Sequence, residues 1–323
     1  MRYLLSTILL ALGPASWATA APFNPEHVAA DAKWIIHLDV EAMRATAVGK
    51  MCGEEVLSRE ELRRHLDKMR EEIGMDPSED LLGATMYDTQ FKKEHGVAMI
   101  RVRQVDGTRL IAKLNEKEPG NRMLEYKKHE LYLWTKRCHG KEMTVCGTLH
   151  DNQVMVFSRD PLKVIAALDV LDGRAIGLSD DSRLASKGRP GTVLLMRGVD
   201  LASSDKLTKC PILKDSTWME VAMGASGSKS FATMVVDTES TELAESAKMV
   251  MDGFVALARL KHGQDETFGK VIDGIKVSAS DASLSVDWSA DEEDVMKVIK
   301  QVHQKMKAHK HSWKKKRAAH DRK

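Results

Sequence analysis

Aromatic residues are scarce in this 323-residue chain, at 5%, and proline occurs only 8 times. With 21 glycines and a 43% hydrophobic fraction, the composition excludes collagen-like, low-complexity and intrinsically disordered chains. So few aromatics leave few platforms for stacking sugars or bases. The core must come from Leu, Val, Ile, Ala and the 18 methionines. After the first twenty residues, no apolar run nears the roughly 20 residues of a membrane-spanning helix. The most apolar helical stretch, 250–260, is interrupted by Asp252 and Arg259. Nucleotide cradles of the P-loop or G-x-G-x-x-G type are missing. So are C-x-x-C pairs and Cys/His clusters with zinc spacing, and no cofactor is expected. Gly224-Ala225-Ser226-Gly227-Ser228 lacks the spacing of a nucleophile elbow. It lies between two strand-like segments and reads as a hairpin turn.

What is present begins with an export signal. Arg2 precedes an apolar run from Leu4 to Leu12, Gly13-Pro14 breaks it, and Ala18-Thr19-Ala20 fits the small-x-small cleavage rule. Residues 1–20 are therefore expected to be removed, leaving a protein of the periplasm or cell surface with no transmembrane segment.

Charge is polarised along the remainder. Residues 21–304 hold 39 basic against 46 acidic side chains, a net of −7. Residues 305–323 hold nine Lys/Arg and one Asp, a net of +8. The run Lys314-Lys315-Lys316-Arg317 is the densest part, and it is the candidate contact for an anionic partner. That partner is expected to be a protein or an anionic envelope component, with no specific nucleic acid. After Met306 the apolar stripe of the last helix ends, so 307–323 is read as an exposed, disordered tail.

Periodicity and breakers predict the elements. Lys33–Asp39 reads as a buried strand. Ser58 and Glu61 suggest a capping box for a helix running to Ile73, closed by Gly74 and Pro77. Val97–Val105 reads as a strand and Thr108–Leu114 as a short helix. Glu130–Lys136, Met143–Leu149 and Gln153–Phe157 read as three more strands. Asp160 and Pro161 open a helix to Leu171. After a breaker-rich linker the plan recurs, with strands at Thr192–Met196 and Phe231–Val236 and a helix from Ser240. A hairpin follows over Ile275–Trp288, and Ser289 with Glu292 suggests a second capping box. The expected fold class is α+β, in two divergent copies of a mostly antiparallel sheet with helices packed on one face. The copies cover 21–180 and 192–306, with a linker at 181–191.

One phrase carries a resemblance. Ala29-Ala30-Asp31-Ala32-Lys33-Trp34-Ile35-Ile36-His37-Leu38-Asp39-Val40-Glu41-Ala42-Met43-Arg44 is similar to the opening of exported proteins of planctomycete-type bacteria. These have a signal peptide followed by such a strand. The likeness is specific over residues 29–53. It implies an exported α+β protein and brings no activity and no catalytic residue.

Two local candidates remain. His37 and Asp39 sit at i and i+2 on one strand, so they share a face and could join a metal site. Asp39 as a helix cap and His37 as a strand residue is the competing account. Cys138 and Cys146 flank a turn-like stretch, and a hairpin there would allow a disulfide. Trp34, Trp134, Trp218 and Trp288 each fall on a predicted strand, where core or sheet-edge roles are the rule. The expected function is a non-enzymatic exported binding or scaffold protein. The alternative is a metal-dependent hydrolase using His37 and Asp39.

Overall fold

The computed structural model describes residues 22–92, 96–138, 140–204, 211–214 and 216–305. The expected signal peptide and Lys314, Lys315, Lys316 and Arg317 lie outside them.

The first half opens with β1 (Trp34–Asp39), which runs into α1 (Val40–Ala45), α2 (Ala47–Ser58), α3 (Glu60–Ile73) and α4 (Pro77–Asp80). Next come β2 (Leu81–Asp88), β3 (Val97–Val102), α5 (Gly107–Lys117) and the strands β4 (Arg122–Tyr126), β5 (His129–Cys138), β6 (Lys141–His150) and β7 (Val154–Ser158). α6 (Pro161–Leu171) closes this half. The second half holds β8 (Thr192–Val199), α7 (Pro211–Lys214), β9 (Ser216–Ser226) and β10 (Lys229–Thr238). It continues with α8 (Thr241–His262), α9 (Glu266–Asp273), β11 (Ile275–Ser280), β12 (Ser283–Asp291) and a last helix, α10, over 292–305.

Among the described residues twelve strands form one sheet, ordered β11-β12-β10-β9-β8-β1-β2-β3-β7-β6-β5-β4. The pairings are antiparallel throughout. The fold is α+β. Outward from the β1–β8 contact, each half follows the same plan: three consecutive strands, a helical excursion, then a hairpin inserted in reverse order. Among the described residues the first half adds the β4–β5 extension, which has no counterpart in the second.

Register assigns the faces, because antiparallel partners point the same way. Met99 and Val156 are opposite each other and belong to a core with Ile35, Tyr87, Leu131, Cys146, Leu195 and the α6 residues Val164 and Leu168. Ile100 and Met155 are opposite each other on the other face, in a cluster with Ile73 of α3 and Leu110 of α5. Carried across the sheet, this second face includes Val286 and Trp288 of β12. There the Trp288 indole donates to the Val271 carbonyl of α9 at 2.8 Å. Thus α3, α5 and α9 share one face, with α8 beside α9 over β10–β12, and α6 takes the other.

Local chemistry explains the element ends. Asp39, Asp106, Asp160 and Ser240 each accept a backbone N–H of the first helical turn they precede. Gly74 ends α3 at φ 69, the left-handed conformation that glycine tolerates. Both proposed capping boxes are corrected. Ser58 belongs to α2 and donates to the Glu55 carbonyl, so α3 starts after Arg59 with no side-chain cap. Ser289 lies inside β12 opposite Phe231, and Glu292 instead accepts the Ala47 N–H.

The proposed Cys138–Cys146 bridge is also corrected. Cys138 lies opposite Lys141, whereas Cys146 lies opposite Leu133, five residues further along β5. At about 3.4 Å per residue this is far beyond the ~7 Å limit for bridged Cα atoms. Cys146 is free and buried. Burial, with Asp160 nearby, pushes its thiol up to about 11, so it is an inert core residue.

One buried charge secures the second half. The Arg197 side chain on β8 is fully buried. Its Nε donates to Glu220 on β9 at 2.7 Å, and Nη1 donates to the carbonyls of Leu184 and Ser186. It thereby fastens the segment between α6 and β8 onto the sheet. Arg197→Ala would orphan those acceptors and open a void. It is expected to cost about 3–5 kcal/mol of stability in urea unfolding. A loss below about 1 kcal/mol would show that the linker holds without it.

Candidate functional site

Two neighbouring features at the β5–β7 end of the sheet stand out: a buried polar cluster and an apolar groove.

The cluster is centred on Asp172, just past the C-terminus of α6. A carboxylate there meets the negative end of the helix dipole and needs cations. His129 Nε2 lies 2.6 Å from Asp172 Oδ2, and His150 Nε2 lies 3.0 Å from Oδ1. The β5–β6 register, continued to the strand ends, places the two histidines side by side, with rings stacked at 5.5 Å. Lys128 Nζ is 3.0 Å from Oδ1, and Arg174 Nη1 is 2.6 Å from Oδ2. One turn earlier, Asp169 accepts from the Tyr126 hydroxyl, Lys127 and Arg174. Burial alone would raise the Asp172 carboxyl, but hydrogen bonds from His129, Lys128, His150 and Arg174 outweigh it. They hold it well below the usual carboxylate range.

His129, His150 and Asp172 each place a potential ligand atom within 4.8 Å of the others. Two imidazoles and a carboxylate are a zinc-type donor set. Here Lys128 and Arg174 already neutralise the carboxylate, and both cations would oppose an incoming metal. The cluster is therefore an ion-paired latch that ties α6 to the roots of β5 and β6.

The groove lies on the other face, between α5 and β5–β7, with a volume of about 550 Å³. Leu110, Ile111 and Leu114 form its helical wall. Its floor is Leu149, Met155, Phe157 and Trp134. The last two rings meet edge to face at 6.4 Å. Gly147 makes this floor possible, since a Cβ there would come within 2.7–2.9 Å of both rings. No residue of α5 is fully buried, and Leu110 packs on the cluster around Ile73 while Lys113 pairs with Glu72 of α3 at 2.8 Å. At the rim the Tyr132 hydroxyl donates to Glu130 at 2.6 Å. Burial, and then the Glu130 carboxylate, push that phenol up to about 12, so it stays a neutral donor. An apolar groove with a few polar groups at its rim suits a largely apolar ligand that carries a polar group.

The sequence-derived candidates lie elsewhere. His37 Nδ1 is 2.9 Å from the Thr85 hydroxyl. Asp39 caps α1 by accepting the Ala42 N–H at 2.8 Å. The cavity beside His37 measures about 30 Å³, room for little more than a water, and His27 and Arg101 line it. Burial, followed by the Arg101 charge, pushes the His27 imidazole down. Among the described residues no third ligand joins His37 and Asp39. The four tryptophans do lie on strands, β1, β5, β9 and β12. A second cavity of about 270 Å³ borders Trp34, Met196 and Met219 near the middle of the sheet.

No protein-family model matches the chain, and no curated protein sequence matches it. Among solved structures it is similar to TP0453. Crystal form III gives a TM-score of 0.49 at 9% identity, and form I gives 0.47 at 9%. In both cases 86% of this chain and 97% of the other are covered.

The latch predicts a pH dependence. Because the Asp172 pKa is depressed in the folded state, its contribution is complete above the unfolded aspartate value. It is lost as pH falls from about 4 downward. Asp172→Asn should lower stability at pH 7 by about 3 kcal/mol. It should also flatten the acid limb of urea midpoints measured between pH 7 and pH 3. Parallel wild-type and mutant curves would remove the carboxylate from this role.

Proposed function

We propose that this chain is a non-enzymatic, exported binding protein whose ligand is an elongated apolar molecule, of the class of acyl chains. The groove between α5 and β5–β7 carries the reading. It is large enough for such a ligand, and its floor and helical wall are apolar. Export rests on the N-terminal signal pattern, and residence at the periplasm or cell surface follows from it. The hydrolase alternative draws no support from the 30 Å³ cavity at His37, which a basic side chain lines. The matching strand order on either side of β1–β8 supports an ancestral duplication of one α+β unit. The basic segment containing Lys314, Lys315, Lys316 and Arg317 is the proposed contact for an anionic envelope component.

The test is titration of a pyrene-labelled acyl chain into the chain starting at Ala21, read by energy transfer from tryptophan. Binding is expected to saturate at one site. Leu114→Trp fills the groove from a half-buried position and should weaken binding at least about tenfold, equivalent to ~1.4 kcal/mol, with the thermal melt preserved. Equal affinity in the variant would exclude the groove as the site.

A further inference from the structure

The chain has only 6 Trp, 4 Tyr and 6 Phe, yet Tyr132, Trp134 and Phe157 converge on one groove, between α5 and β5–β7. Register shows what stands beside those rings. Glu130, Tyr132 and Trp134 alternate along β5, so they share the groove face, and Glu130 belongs to the lining. Toward the sheet edge Glu130 lies directly opposite Glu125 of β4. Antiparallel partners point to the same face, so two carboxylates stand side by side at the mouth of the groove. Both are exposed.

The Tyr132 hydroxyl donates to Oε2 of Glu130 at 2.6 Å, which leaves Oε1 to accept. Among the described residues neither glutamate has a cationic partner. The nearby cations are engaged elsewhere. Lys128, in the groove lining, pairs with Asp172 at 3.0 Å. Lys113 of α5 pairs with Glu72 and Glu116, each at 2.8 Å. Lys136 shares the groove face but sits opposite Met143, ~20 Å along β5 from Glu130 by strand rise.

The uncompensated charge at the mouth is therefore negative, and it borders an apolar trough. Like charges directly opposite on a sheet repel, and a cation between them relieves that repulsion. The faces of Tyr132 and Trp134 also attract a cation. A carboxylate head would meet the reverse. We propose that the groove takes amphiphiles with a cationic head, of the alkylammonium class. The ammonium sits between Glu130 and Glu125, donating its N–H groups to them, and the hydrocarbon chain lies along Leu110, Leu114 and Leu149. This rests on the groove being a ligand site and adds the sign of the head group.

Competition against the pyrene probe tests it, with decylammonium, decanol and decanoate on the chain from Ala21 to Lys323. The three ligands share one chain and differ in head charge. At pH 7 and low salt, below micellar concentrations, decylammonium should displace the probe at least about tenfold more effectively than decanol. Decanoate should be weaker than decanol. Glu130→Gln should cut the ammonium preference, and the double variant Glu125→Gln, Glu130→Gln should erase it. Both positions are exposed, so the melts should match wild type. Leu114→Trp should weaken decylammonium and decanol alike. Decylammonium binding that Leu114→Trp leaves intact would be general attraction to an acidic surface and would overturn the proposal. Equal displacement by ammonium and alcohol, tighter binding of decanoate, or a preference that survives the double variant would each overturn the head-group assignment and leave the groove standing. If neither the probe nor any of the three ligands binds, the groove itself fails as a site and the head-group assignment falls with it.

Discussion

The pairing of β1 with β8 is the contact on which the architecture rests. Five residues of β1, Trp34 to Leu38, face Gly198 to Leu194 across this seam. Without it each half would end in a row of unpaired amides and carbonyls beside a fully buried Ile35 or Leu195. Such an edge is a template for aggregation. Joining the halves satisfies both rows together and makes one continuous core. Arg197, opposite Ile35, completes the seam by holding down the linker that connects the halves. Its charge is tolerable only because Glu220 and two carbonyls surround it; burial still lowers its pKa.

Much of this was legible in the sequence where a single local rule governs. Asp39, Asp160 and Ser240 cap helices as their neighbours suggest, and Gly74 ends one. The strands around Trp34, Trp134, Trp218 and Trp288 have the β-rich pattern of half-buried sheet. Local reading failed where tertiary context competes. β2, sequence LLGATMYD, is buried on both faces at its end and contains Gly83, so it shows neither alternation nor β-branched enrichment. β4 is almost wholly exposed and carries no apolar pattern. α2 contains Gly49 and Gly53, which argue against a helix; Gly49 sits so close to the Met43 carbonyl that no Cβ would fit. The S-x-x-E pattern at Ser58 and Ser289 was misleading, because each serine's backbone was already committed to a helix or a strand.

The site was not legible for a related reason. His129, His150 and Asp172 are separated by 21 to 43 residues, and the β5–β6 register and the end of α6 bring them together. The groove depends on Gly147, whose missing side chain lets Trp134 and Phe157 meet. A glycine inside a strand was the available signal, since it marks a close approach by something else. The disulfide failed on register too: the chain turns at Gly140, φ 78, so Cys146 passes well beyond Cys138.

Latch and groove are mechanically linked, though they lie on opposite faces. Lys128, His129 and Thr148 border the groove, and the same Lys128 and His129 bind Asp172. The ion pairs and hydrogen bonds on Asp172 thus fix the β5–β6 root that forms one end of the groove floor. Register adds a spatial constraint. The groove floor and the seat of α9 under Trp288 belong to the same face of one sheet. The continuous sheet thus carries the groove floor in the first half and the seat of α9 in the second on a single face.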